Sequence, residues 1–156
     1  MNLHTLKLTV LLAALAAGRL VTLADPAQAR SPEVYTARLS DVAVGGFDPV
    51  AYFEAGRPAR GLPQFSHRWK GAEYRFATAE RLEKFRTDPE AYAPQFGGYC
   101  AWAVSQGYLA KGDPRHWRLV AGKLYLNYDA QIQRRWESDI PGHIAKARNN
   151  WPSVLR

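Results

Sequence analysis

The chain has 156 residues, enough for one domain with its own core, and a single cysteine, Cys100, so no internal disulfide can hold it together. Its net charge of +7 is dispersed, with Arg134-Arg135 the longest cationic run, which argues against nucleic acid as a partner. There is no phosphate loop, nucleophile elbow, zincin helix or dinucleotide fingerprint, and the glycine pairs at 45–46 and 97–98 are too short to cradle phosphate alone.

Residues 1–29 read as a secretory signal peptide. Lys7 precedes an apolar run from Leu8 to Ala17, and the segment ends in Ala27-Gln28-Ala29. The run is too short for a membrane span, and Arg19 interrupts it. This predicts export to a periplasmic or secreted location with cleavage after Ala29; retention as an anchor is the alternative. Residues 30–41 form a polar lead-in, and 42–156 form the domain with a C-terminal helical extension.

Within the domain, Gly45-Gly46 predicts a turn, and Asp48-Pro49 predicts a capped helix over Val50–Ala55 ended by Gly56. Residues 57–63, with two prolines and Gly61, predict a loop. Alternation over 64–69 and 73–77 around Lys70-Gly71 predicts a hairpin. Thr78 is placed to cap a helix over 79–87, and Asp88-Pro89 to start a short one over 90–93. After Gly97-Gly98 a helix is expected from about Tyr99 to Gly107. Asp113-Pro114 predicts a turn, and a second hairpin follows over 117–120 and 123–127 around Ala121-Gly122. Asp129 caps a helix to about Glu137, which Pro141-Gly142 separates from a last helix over 143–149. Short hairpins mixed with short helices predict an α+β fold. No internal repeat is evident by eye.

Asp48, Asp88, Asp113 and Asp129 all read as helix caps, and most aromatic residues, Trp102 among them, read as core. Three explanations stand open for Cys100, since an oxidising compartment disfavours a free exposed thiol: it is buried, bound or used. Set among Tyr99, Ala101 and Trp102 it suits a core. At a helix start it would have a depressed pKa and redox use. His67, His116 and His143 are the histidines of the domain. Cys100 with His67 and His143 is the candidate metal set, with copper or zinc as the ion if these side chains converge.

Asp48-Pro49-Val50, then Gly71 to Phe76 with Tyr74, then Phe85 and Asp88-Pro89-Glu90-Ala91-Tyr92, resemble the YHS domain. The flanking Gly45-Gly46-Phe47 and Gly97 to Ala101 resemble small exported YHS proteins of uncharacterised function. The resemblance implies a metal-handling module, but the positions of its three cysteine ligands are Ala51, Ala77 and Arg81 here. Alanine cannot ligate and arginine repels a cation, so that site does not carry over. Three functional readings follow. The first is an exported module that binds a metal ion or a partner without turnover. The second is a thiol-dependent redox protein using Cys100. The third is a structural protein in weak contact with an anionic envelope surface.

Overall fold

The computed structural model describes residues 29–156; the predicted signal segment up to residue 28 lies outside them. The architecture is α+β, with two separate two-stranded antiparallel sheets and short helices around them. Among the described residues, no helix is long and apolar enough to cross a membrane.

The elements follow in the order expected. Helix α1 spans Pro49–Ala55, with strands β1 (Leu62–Trp69) and β2 (Ala72–Phe76) after it. Helices α2 (Ala79–Thr87) and α3 (Pro89–Tyr92) come next, and then α4 (Ala101–Ser105). Strands β3 (Asp113–Val120) and β4 (Lys123–Asn127) lead into α5 (Ala130–Glu137) and α6 (Ile140–Asn150).

Local chemistry accounts for most of these boundaries. Asp48, Thr78, Asp88, Asp129 and Asp139 each accept a backbone N–H in the first turn of the helix they precede. Gly56 ends α1 in the left-handed conformation at φ 60°. Both hairpin turns take positive φ at each central residue, Lys70-Gly71 and Ala121-Gly122, as a tight antiparallel hairpin requires.

Four expectations are corrected. Asp113 caps no helix; it begins β3, and its carboxylate accepts from the Arg115 backbone and guanidinium. Pro141 lies inside the first turn of α6, where a missing N–H costs nothing, so that helix starts at Ile140 instead of beyond Gly142. The helix after Gly97-Gly98 begins at Ala101, later than Tyr99. The lead-in is docked, not merely polar: Val34 is buried, and the Tyr35 N–H donates to the Gly97 carbonyl at 2.9 Å.

The fifth correction is the largest, because the chain does contain an internal repeat. A 3-10 turn, a helix, a hairpin and two helices occur in that order twice. The hairpins pair in one register displaced by 51 residues throughout. Leu62 faces Phe76 as Asp113 faces Asn127, and Ser66 faces Arg75 as Trp117 faces Leu126, with the same irregularity between those two pairs. Tyr74 and Phe85 stack at 4.7 Å in the first half, and their counterparts Tyr125 and Trp136 stack at 5.4 Å in the second. All four are buried.

Each half has its own apolar cluster. Tyr74, Phe76, Phe85 and Val50 centre the first, and Tyr125, Trp136, Val104 and Ala147 the second. Strand β4 joins the two clusters. Its Leu124 and Leu126 enter the first while Tyr125, pointing the other way, enters the second. Across the same seam the Tyr52 hydroxyl donates to the Pro114 carbonyl at 2.7 Å.

Candidate functional site

The two halves differ in chemistry where each first helix begins. In the first half Asp48 is fully buried. Its Oδ1 accepts from the Val50 and Ala51 N–H groups, and its Oδ2 from the Ala77 N–H at 2.9 Å. Arg81, on α2, lies over it: the guanidinium is 3.4 Å from Asp48 and 2.9 Å from Glu54. Lys84 also bonds to Glu54, so the place above Asp48 is filled by a closed network of charges.

The counterpart of Asp48 in the second half is Cys100, 52 residues on because one residue fewer separates it from its hairpin; it directly precedes α4 and is 1% exposed. A cysteine cannot cap a helix as a carboxylate does, and no side-chain cap comes from residue 100. The cap comes from β4 instead. Asn127, which stands where the first half has Phe76, accepts from the Trp102 N–H at 3.3 Å and from the Cys100 thiol at 3.8 Å. Its amide nitrogen is buried without a partner among the described residues.

The counterpart of Arg81 is Ile132, which is shorter and uncharged. A pocket of about 310 Å³ opens here, lined by Cys100, Trp102, Ala103, Tyr108, Ala110, Tyr128, Asp129 and Ile132. Trp102 and Tyr108 meet edge to face at 6.2 Å. The Arg135 guanidinium stands 6.0 Å from the Trp102 ring centre, and Lys111 Nζ 5.0 Å from that of Tyr128. Tyr108 and Tyr128 are about half exposed, so the mouth is aromatic and open to solvent.

Cys100 is a buried member of the lining. Burial pushes its pKa above the ordinary thiol value, while the N–H groups of Ala103, Tyr128 and Trp102 pull it down by less. The depressed pKa expected of a thiol at a helix start is therefore reversed: α4 has only five residues, and desolvation outweighs its small dipole.

The three candidate metal ligands are dispersed. His67 is on β1, edge to face with Phe85 at 6.3 Å in the first half. His143, on α6, places Nδ1 3.1 Å from the Ser105 hydroxyl. Neither lines the pocket at Cys100, nor does His116, which lies within β3. Among the described residues no group of three or more His, Cys, Asp and Glu side chains is placed to hold a metal ion. The Ser105 hydroxyl is placed to donate to the Trp102 carbonyl at 2.6 Å, a partner that competes with His143 Nδ1 for its single proton.

Trp102, Tyr108, Tyr128 and Ile132 were not evident as a site from their local sequence. The signal that finds them is the 51-residue displacement, which aligns Arg81 with Ile132 and Ala77 with Tyr128. No protein-family model, curated protein or solved structure matches the chain.

Proposed function

We propose that this chain is an exported, non-catalytic binding module of YHS type, and that its ligand site is the pocket at Cys100. One observation carries the reading: the second half leaves open, and lines with aromatic rings, the place that Arg81 fills in the first. Apolar walls with a few polar groups at the end are the usual make-up of a small-molecule site. Export rests on the apolar run and the small-x-small exit of residues 1–29. The YHS assignment rests on the Asp-Pro-Val start and the Tyr-x-Phe strand. Asp48 and Phe76 are both fully buried there, which gives those residues a structural reason to be present.

The dispersal of the histidines favours a small organic ligand over a metal ion as the occupant. A thiol-redox role is disfavoured by the burial of Cys100 and the upward shift of its pKa, because the thiolate is the reactive form. Weak contact with an anionic surface is compatible with the positive net charge and needs no pocket.

Amide-resolved NMR of the full chain with a panel of single-ring organic fragments tests the reading. Fragments that bind are expected to shift the amides of Trp102, Tyr128 and Ile132 together, and Ile132→Trp is expected to abolish those shifts by filling the pocket. A panel that leaves these amides unmoved, or shifts that survive Ile132→Trp, would overturn it.

A further inference from the structure

We infer that the pocket selects a flat aromatic molecule carrying one negative charge, with its ring among Trp102, Tyr108 and Tyr128 and its anionic group toward Lys111 and Arg135. This rests on the reading of the pocket as a ligand site and goes further by assigning the charge and shape of the occupant.

Size comes first. About 310 Å³ lies at the small end of the range for organic-ligand sites, roughly 300–1,000 Å³, which suits one or two fused rings. Shape follows from the walls. Trp102 and Tyr108 stand nearly perpendicular, with 83° between their planes, so a flat ring can stack on one and meet the edge of the other.

Charge is decided by what stands around those rings. Lys111 lies over Tyr128 and Arg135 over Trp102. Both cations are exposed, and neither has a carboxylate within 4 Å among the described residues. In the first half Arg68 pairs with Asp41, Lys70 with Glu33 and Glu90, and Lys84 with Glu54 and Glu80, whereas Arg38, Arg57 and Arg60 have no carboxylate partner among the described residues. The one acid in the pocket lining is Asp129, and its Oδ1 already accepts the Ile132 N–H at 2.8 Å as the cap of α5. Neither cation belongs to the lining itself; each stands beside one of its rings, so a cationic group held at the mouth would meet like charge. A neutral one would gain nothing from either cation, since both are exposed and solvated. An anionic group at the mouth gains from the positive charge on either side, and a carboxylate offers two acceptor oxygens to the Arg135 guanidinium.

Calorimetric titration of the full chain with benzoate, benzamide and benzyltrimethylammonium separates the cases, since the three share a ring and differ in charge. Benzoate is expected to bind at least tenfold more tightly than either of the others, and the preference should fade as salt is raised from 20 to 300 mM. Lys111→Gln with Arg135→Gln should remove most of the benzoate advantage while leaving benzamide unchanged. Both side chains are exposed, so the variant is expected to keep the wild-type melting temperature. Benzamide or the ammonium binding as tightly as benzoate would overturn the charge assignment and leave the pocket as a ligand site. No heat from any of the three, together with no fragment shifting Trp102, Tyr128 and Ile132, would overturn both readings.

Discussion

Cys100 and Asp48 occupy the same place in two copies of one local structure, and their chemistry differs in what burial allows. A buried carboxylate must find donors, and Asp48 finds three backbone N–H groups and a guanidinium. A buried thiol needs no such partners and behaves as a small apolar group, which lets the residue at 132 become Ile. Replacing the acid leaves α4 without its own cap, and Asn127 supplies one from β4. The buried thiol also sets a pH dependence. Its folded pKa lies above the ordinary value of 9.0, so the stability it contributes is fully present below that value. As pH rises past it, the unfolded chain loses the thiol proton first and stability falls. The stability difference between the wild type and Cys100→Ala should therefore shrink between pH 7.5 and 10 in urea unfolding, and alkylation of Cys100 at pH 7.5 should be slower than that of free cysteine. A constant difference, or alkylation as fast as the free amino acid, would refute this account of the thiol.

At the scale of elements, the hairpins and capped helices are legible because their signals are local. Lys70-Gly71 and Ala121-Gly122 mark the turns, and Thr78, Asp88 and Asp129 mark the helix starts. The turns also show where the chain is not optimal. Ala121 sits at φ 48°, a left-handed conformation that asparagine and glycine tolerate better than alanine. Ala121→Asn should raise stability by about 0.5–1 kcal/mol, read as a higher urea midpoint at unchanged slope. The first residues of β1 and β3 were not legible, since Pro63 and Pro114 read as loop or turn. Each proline lies in the unpaired stretch between the two ladder segments, where no N–H is required, so both strands tolerate it. Asp113 misled for a related reason. Asp-Pro is a helix start at 48 and 88, but at 113 the carboxylate turns to Arg115, which holds its pKa down at about 2.

The whole molecule is two similar units sharing one strand's two faces, and this level was invisible residue by residue. The halves keep Gly71 as Gly122, Tyr74 as Tyr125 and Asp88 as Asp139. Phe76 becomes Asn127 and Arg81 becomes Ile132, so sequence identity fades while register persists. The candidate site lies at matched positions where the two halves carry different side chains, so no local motif announced it. A buried carboxylate with its arginine in one half and a thiol with an aromatic pocket in the other are two solutions at one structural position. If so, the first solution should be transferable to the second. Cys100→Asp alone would bury an unpaired carboxylate, and Ile132→Arg alone would place a guanidinium over apolar walls, each costing about 2–4 kcal/mol. Together they restore the pair that Asp48 and Arg81 form at 3.4 Å, with the Tyr128 N–H available as the Ala77 N–H is in the first half. The direct measurement is a double-mutant cycle by urea unfolding of the wild type, Cys100→Asp, Ile132→Arg and the double variant. The account predicts a favourable coupling of about 1–3 kcal/mol between the two substitutions, and additive costs with no coupling would contradict it.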